Sequence, residues 1–353
     1  KEHIEQVIGR KLSSFGYESI ETPTFEFFDV FSKEIGTTPS KELYKFFDKE
    51  GNTLVLRPDF TPSIARCAAK YYMDETQPIR FCYKGNTFIN TGSLQGKLKE
   101  VTQMGAELMN DDSVEADAEM IALVVESLLQ TGLKEFQISI GEVEYFKGLC
   151  EEAGLSLETA EDLRELISGK NLFGAEELLK ERNVCTEERE RLLKISDFFG
   201  AVEILDEAEE QVHNETSKQA VLHLKKLYEV LKAYGVEKYV SFDLGMLSKY
   251  HYYTGVIFKA FSYGVGDAIV KGGRYDKLLG YFGKSAPAIG FAVVIDDLLL
   301  SLERQNGTYQ EKPVVQKITY TESNYTEKLK MAQTLRGEGR RVALIPETER
   351  TEV

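Results

Sequence analysis

Residues 99–108, KEVTQMGAEL, combine an amide and a carboxylate in a pattern that suits ligand binding. In a strand, Gln103, Gly105 and Glu107 share one face, because side chains alternate between the two faces of a sheet. The glycine between the polar residues is expected to leave room for a ligand. A solvated sheet face is the alternative, and this segment by itself favours that alternative.

The segment LRPDFTPSIAR, at residues 56–66, places a carboxylate and a hydroxyl in a turn before a predicted helix. Asp59 and Thr61 there suit a ligand amine, whose three N–H donors need acceptors. The same residue types cap the N termini of helices, and for this turn taken alone capping is the better interpretation.

Two later segments carry aromatic, glycine and charged residues. YHYYTGVIFKAFSY, at residues 250–263, is predicted to be a strand with Tyr252 on one face and Tyr253 on the other. In KGGRYDKLLGYFG, Arg274 suits a phosphate ligand and equally suits a structural salt bridge. Neither segment by itself specifies a function.

Composition excludes several classes of protein. The 353 residues carry a net charge of −15, which argues against non-specific nucleic-acid binding. No apolar run approaches the length of a membrane span, and the first residues do not form a signal peptide. The four cysteines form no C-x-x-C pair, and the four histidines lack ligand spacing. We therefore expect a cytoplasmic chain that binds no membrane and no metal.

The elements that must position these residues follow from hydrophobic periodicity. An α+β core is predicted at residues 1–147 and 236–305, interrupted by an all-helical insertion at 148–235 and followed by a small α/β fragment at 313–353. Neither common phosphate-binding glycine loop is present. Helices are predicted at 1–16, 113–131 and near 286–304, and strands at 43–47, 53–56, 79–84, 101–108, 136–143, 239–244, 250–263 and 268–273.

Taken together and in this order, the segments resemble a known family. GYESIETPTFE, LRPDFTP, YKGNTF, QGKLKEVTQMGAE, YYTGVIF, GGRYDKLLGYFG and AIGFAVVIDDLL are similar to motifs of the catalytic domain of histidyl-tRNA synthetases and their paralogues. The resemblance covers residues 1–304, including the insertion. It implies a class II aminoacyl-tRNA synthetase-like antiparallel sheet of six to seven strands flanked by helices, which dimerises around Pro23.

The resemblance also implies a histidine pocket. The family's R-P-E-G-T turn matches Asp59 and Thr61, with Asp in place of Glu. The polar residues of its second-motif strand match Gln103 and Glu107, and the tyrosines of its D-Y-Y-T-G segment match Tyr252 and Tyr253. All six residue positions are compatible with binding histidine.

The ATP site implied by the family is degenerate in this chain. The F-R-x-E motif becomes F-I-N-T, with Ile89 and Thr91 at the arginine and glutamate positions. Asp297 stands in place of the third-motif arginine, and Ser248 in place of the arginine of R-G-L-D-Y-Y. Since the loss of one preorganised donor costs about 10²–10³ in rate, we expect no adenylate formation and no charging of tRNA.

An intact histidine pocket beside a degenerate ATP site resembles the regulatory subunits of ATP phosphoribosyltransferase. That resemblance implies a non-catalytic, cofactor-free chain that activates the short-form catalytic subunit in the first step of histidine biosynthesis. It implies L-histidine as the feedback inhibitor, and a homodimer within a hetero-octamer. A divergent histidine-activating enzyme that uses Lys249 and Arg274, and a histidine-sensing module of another pathway, remain as alternatives.

Overall fold

The chain divides into two compact units, Lys1–Gln305 and Asn306–Val353. Among the residues with described positions, no helix is both long and apolar enough to cross a bilayer. The computed structural model describes residues 1–31, 38–92, 98–247, 252–306 and 315–347.

Two sheets form in the first unit. Their strands are β1 (Glu18–Ser19), β2 (Phe25–Phe27), β3 (Lys45–Phe47), β4 (Thr53–Leu56), β5 (Ile79–Phe88), β6 (Glu100–Met109), β7 (Phe136–Glu142), β8 (Phe199–Gly200), β9 (Val240–Asp243), β10 (Val256–Ser262), β11 (Val270–Arg274) and β12 (Ala288–Val294). In the described residues the larger sheet has nine strands in the order β1-β5-β6-β12-β11-β10-β7-β9-β8, and the smaller has the order β2-β4-β3.

The α+β class and the synthetase-like antiparallel sheet are confirmed, and the sheet is larger than expected. Seven strands were the most that the family resemblance implied, whereas two-residue strands extend the observed sheet at both edges. β1 pairs parallel to β5 and β7 pairs parallel to β9, while the other neighbours pair antiparallel. Such short edge strands carry too few residues for a periodic signal.

Helices of the first unit cover the sheet and build the insertion. The helices are α1 (Glu2–Ser14), α2 (Thr61–Tyr71), α3 (Val114–Gln130), α4 (Val143–Glu152), α5 (Leu157–Ser168), α6 (Leu172–Glu181), α7 (Thr186–Lys194), α8 (Ile204–Glu210), α9 (Glu215–Tyr234) and α10 (Ile295–Asn306). Ser113 caps α3, because its Oγ accepts a hydrogen bond from the N–H of Ala116 at 3.2 Å.

The insertion differs in detail from an all-helical segment. Between α7 and α8, the strand β8 pairs antiparallel with β9 and so joins the insertion to the sheet. α9 packs against α3 and α4, and its side chains Val221, Leu224 and Leu227 are fully buried. The insertion is therefore anchored to the core through both a strand and a helix.

The predicted helix near 286–304 is wrong in its first half. Residues Ala288–Val294 form β12, which lies between β6 and β11 in the centre of the sheet. The helix α10 begins only at Ile295. A strand buried on both faces has no alternating polar pattern, so the run AIGFAVV does not distinguish a strand from a buried helix.

The strand predicted at 250–263 is shorter in the structure. β10 begins at Val256, and Tyr252 and Tyr253 precede it in a non-regular segment. The proposed alternation of their side chains therefore does not apply.

The second unit contains the β–α–β arrangement that the sequence predicts. β13 (Gln316–Tyr320) pairs parallel to β14 (Val342–Pro346), and α11 (Tyr325–Gly337) connects them. Ile318, Ala332 and Val342 form its small buried core.

Candidate functional site

A cavity of about 2160 Å³ opens over the nine-stranded sheet and brings the two predicted groups of residues together. Asp59, Thr61, Gln103, Tyr252 and Tyr253 from the predicted histidine pocket line it. Ile89, Thr91 and Asp297 from the degenerate ATP site line it too. Ser248, the remaining predicted position, lies outside the described residues.

The turn between β4 and α2 presents Asp59 and Thr61 to the cavity. Arg57 holds this turn in place, because its guanidinium donates to the carbonyl oxygens of Thr22 at 2.8 Å and Asn86 at 2.9 Å. Asp59 Oδ1 accepts a hydrogen bond from the backbone N–H of Thr61 at 3.2 Å. The N-cap position of α2 is Phe60, which has no side-chain capping bond, so Asp59 and Thr61 line the cavity and the Asp59 bond closes the turn before the helix.

Glu107, the sixth residue of the predicted histidine pocket, does not line the cavity; it is 1% exposed and is bonded to Thr61 and Tyr275, which do line it. Its carboxylate accepts hydrogen bonds from the Thr61 hydroxyl, at 2.8 Å, and from the Tyr275 hydroxyl. Burial raises the pKa of Glu107 to about 8, and the negative charge of Asp59 adds to the rise, although both hydrogen bonds oppose it. The carboxyl is consequently largely protonated at neutral pH.

Tyr275 is a site residue that the sequence reasoning missed. It lines the cavity, donates to Glu107 and packs edge-on against Tyr252, with ring centroids 6.0 Å apart. Tyr252 in turn contacts Tyr253 at 4.7 Å between centroids. Its sequence signal is the run GGRYD, in which the tyrosine lies between two charged residues.

The space beside Gly105 is filled by protein, which corrects the expectation of a ligand there. A Cβ at Gly105 would overlap the hydroxyl of Tyr83 and the carbonyl oxygen of Phe291. Tyr83 stacks on Phe60, with centroids 4.4 Å apart, so its ring is fixed in this position. The glycine thus admits a neighbouring tyrosine from β5.

A second glycine, Gly290 of β12, leaves room for the side chain of Glu107. It pairs with Glu107 in the register of β12 and β6, and a Cβ there would overlap Glu107 Oε2. Glycine at this position is what allows the buried carboxyl to lie flat against the sheet.

More acidic than basic side chains line the cavity as a whole. Asp296 accepts from the Lys1 ammonium at 2.7 Å and from the Thr102 backbone N–H at 2.8 Å. Among the cations, Lys271 is paired with Asp267 at 3.1 Å. The charged residues that line the whole cavity are Glu42, Asp59, Glu165, Asp267, Asp296, Asp297, Glu303, Lys99, Arg164, Lys271 and Arg304.

Arg274 does not line the cavity; it forms the structural salt bridge that was one of its two predicted roles. It is 6% exposed and contacts the carboxylates of Asp117 and Asp276. Its guanidinium is therefore fully engaged within the protein.

The insertion also contributes to the cavity, which the sequence did not indicate. Arg164, Glu165 and Ser168 of α5 and the following Gly169 line it opposite the sheet residues. Within the described part of the chain, no group of three or more His, Cys, Asp or Glu side chains is arranged to hold a metal ion.

Comparisons with known proteins agree over nearly the whole chain. A family model described as histidyl-tRNA synthetase matches residues 1–298. The ATP phosphoribosyltransferase regulatory subunit of Acetivibrio thermocellus is 42% identical over 339 residues, which cover 96% of this chain and 81% of that protein. The protein of the same name from Clostridium acetobutylicum is 36% identical, covering 99% of this chain and 87% of its own.

Solved structures have the same fold. A Bacillus halodurans C structure described as an ATP phosphoribosyltransferase regulatory subunit/histidyl-tRNA synthetase is 34% identical with a TM-score of 0.90, covering all of this chain and 90% of that one. A histidyl-tRNA synthetase from Nostoc sp. PCC 7120 has a TM-score of 0.81 at 21% identity, covering 99% and 83% of the two chains. At that identity the second likeness concerns the fold alone.

Proposed function

The chain belongs to the histidyl-tRNA synthetase family and, within it, to the ATP phosphoribosyltransferase regulatory subunits; from this membership we propose that it activates a short-form catalytic subunit and makes that enzyme sensitive to L-histidine. The chain itself catalyses no step and needs no cofactor. Feedback inhibition then acts on the first step of histidine biosynthesis, in the cytoplasm.

The observation that supports this proposal is that one cavity is lined both by five residues of the predicted histidine pocket and by three positions of the predicted degenerate ATP site. Asp59, Thr61 and Gln103 converge on the cavity and supply oxygen acceptors for an α-ammonium group. The Oε1 atom of Gln103 is buried without a hydrogen-bond partner in the structure, so an N–H donor of a ligand would satisfy it.

The polar groups bonded to Glu107 suit an imidazole ring. The buried Glu107 carboxyl fixes the Thr61 and Tyr275 hydroxyls, which line the cavity, and the oxygens of these hydroxyls can accept a hydrogen bond from a ring N–H. Tyr252 and Tyr253 line the same region with aromatic faces. These contacts would select histidine over amino acids of similar size that lack a ring nitrogen.

The degenerate ATP positions oppose ATP activation. Ile89 and Thr91 supply no cation where a synthetase places the group that clamps the α-phosphate. Asp297 places a carboxylate where the family has an arginine, so this position supplies no donor for charge that develops on a triphosphate. Histidine bound here would remain an effector, with no route to an adenylate.

The proposal includes a homodimer within a hetero-octamer of both subunits. The small sheet next to Pro23 exposes four phenylalanines, and a second copy of this chain is the occupant that the family resemblance implies for this face. Their exposed fractions are 52% for Phe25, 55% for Phe27, 38% for Phe46 and 73% for Phe47. Apolar surface of this kind is stabilised by burial in an interface.

Inhibition follows from linkage in this proposal. Histidine shifts the complex toward an inhibited arrangement only by as much as it binds that arrangement more tightly. Asp59, Thr61, Gln103, Glu107, Tyr252 and Tyr253 are then sensing residues.

The test is the phosphoribosyl-transfer rate of a short-form catalytic subunit alone, with this chain, and with this chain plus L-histidine. We expect activation that histidine suppresses. A Thr61→Val variant, which removes the hydroxyl bonded to Glu107, should still activate but respond less to histidine. Exposed Thr334→Val in the second unit is the matched control.

Four results would overturn the proposal or move the effector site. No activation of a cognate catalytic subunit removes the regulatory role. Histidine-dependent exchange of pyrophosphate into ATP would favour the divergent enzyme instead. Undiminished histidine sensitivity in Glu107→Ala would place the effector outside this cavity, and histidine binding without any effect on the catalytic subunit would favour a sensor of another pathway.

A further inference from the structure

A buried charge cluster ties the insertion to the strand that precedes Tyr275. Asp117 of α3 is 0% exposed, and its two carboxylate oxygens contact different partners. Oδ1 accepts from Nε of Arg274 at 2.9 Å, and Oδ2 lies 2.8 Å from Nε2 of His223 on α9. One carboxylate therefore joins the insertion helix α9 to β11.

Arg274 in turn holds the two segments that carry the site tyrosines. Its carbonyl oxygen accepts from the Thr254 N–H at 2.8 Å, and its Nη1 contacts Asp276 at 3.2 Å. The Asp276 carboxylate also accepts from the Thr254 hydroxyl at 3.0 Å. Tyr275 lies between Arg274 and Asp276, and Thr254 directly follows Tyr253, so the same pair of charges fixes both segments.

We propose that His223, acting through Asp117 and Arg274, is a positioning residue that couples helix α9 of the insertion to Tyr275 and to the Tyr252–Tyr253 segment. His223 touches no ligand in this arrangement. It holds one side of Asp117, so that Asp117 orients the Arg274 guanidinium and, with it, the backbone around the tyrosines. We call the series of contacts from His223 through Asp117 to Arg274 the relay. Because α5 of the same insertion lines the cavity, the insertion contacts the pocket both directly and through the relay.

The charged groups that face His223 are Asp117 from α3, Glu142 from β7 and Arg274 from β11. Glu142 is 5% exposed, and its Oε1 atom has no hydrogen-bond partner in the structure. Burial alone would lower the pKa of His223, but the bond to Asp117 and the nearby charge of Glu142 raise it above its usual value. The contact between His223 and Asp117 becomes a charged hydrogen bond when His223 is protonated, which strengthens this end of the relay.

The relay is tested without any ligand by hydrogen–deuterium exchange of the whole chain. His223→Leu removes the contact to Asp117, and His223→Gln keeps an N–H donor but no charge; the exposed His213→Gln is the matched control. In His223→Leu we expect exchange in peptides 252–262 and 270–279 to accelerate by about 2-fold to 30-fold, with a smaller effect in His223→Gln. Since the His223 side chain is 31% exposed, these variants should fold.

L-histidine binding, measured by calorimetry, gives the second readout, and this part rests on the proposed function. We expect His223→Leu to weaken binding by about 2-fold to 30-fold, and His213→Gln to match the parent chain. If the parent chain binds no histidine, the proposed function fails while the exchange data still decide on the relay. If exchange around Tyr275 is unchanged in His223→Leu, or changes only within α9 and α3, the relay is overturned.

Discussion

Glu107 is a residue whose chemistry the fold alters strongly. The same side chain on a solvated sheet face would be an ordinary carboxylate. Here it is enclosed by Thr61, Tyr275 and the backbone at Gly290, and burial raises its pKa to about 8. A buried carboxyl with this pKa is a common property of ligand-binding and catalytic sites.

The pH dependence of stability follows from this raised pKa. Between about pH 4.5 and 8 the folded chain keeps a proton on Glu107 that the unfolded chain has lost, so the free energy of unfolding falls as the pH rises. Glu142, whose pKa burial also raises to about 8, acts in the same direction. Each group contributes a slope of about 1.4 kcal/mol per pH unit within this range.

Glu107→Gln should remove its share of that slope. Urea unfolding at several values between pH 5 and 8 measures it, because the free energy is extrapolated at each pH. The exposed Glu181→Gln is the control and should leave the slope unchanged. A slope in Glu107→Gln equal to that of the parent chain would mean that Glu107 is ionised in the folded state.

At the scale of elements, neighbouring strands β5, β6, β11 and β12 meet at the pocket. Gly290 of β12 lies across from Glu107 of β6, and Tyr83 of β5 lies across from Gly105. The register of the strands, and therefore the position of each glycine, determines which side chains can enter the space above the sheet.

Gly290→Ala tests this arrangement. The added methyl group would overlap Glu107 Oε2 and crowd the carbonyl oxygen of Ala106, neither of which can move freely. We expect the free energy of unfolding to fall by about 1–3 kcal/mol, and L-histidine binding to weaken with it. Gly280→Ala is the matched control, since its Cβ would meet nothing within 4 Å. Equal stability of the two variants would contradict the close contact at Gly290.

At the scale of the whole molecule, the exposed phenylalanines of the small sheet bear on assembly. Phe47→Ser should weaken self-association by about 30-fold if this residue anchors the homodimer. Sedimentation equilibrium over a range of concentrations measures the dissociation constant. Phe173→Ser on the insertion is the control, because Phe173 is 76% exposed and lies outside the small sheet. An unchanged constant in Phe47→Ser would place the homodimer on another face.

Much of the fold was predictable because its signals are local. The strand Thr53–Leu56, the helix α3 with its Ser113 cap, and the β–α–β arrangement at the C-terminal end follow from periodicity and capping residues. β12 was not predictable in this way, because a strand buried on both faces has no alternation. The sequence pattern predicts that Tyr252 and Tyr253 belong to the same strand as β10. Only the structure shows that this strand begins at Val256.

The amino-acid sequence by itself determined the class of the fold and the family, because both depend on the order of motifs along the chain. It also identified Asp59, Thr61, Gln103, Tyr252 and Tyr253, which the structure gathers around one cavity. The tertiary structure alone decided that Tyr83 fills the space at Gly105, that Tyr275 bonds Glu107, and that His223 reaches Asp117. Those contacts join residues from about 20 to nearly 170 positions apart, and they exist only where strand register and helix packing bring the side chains together.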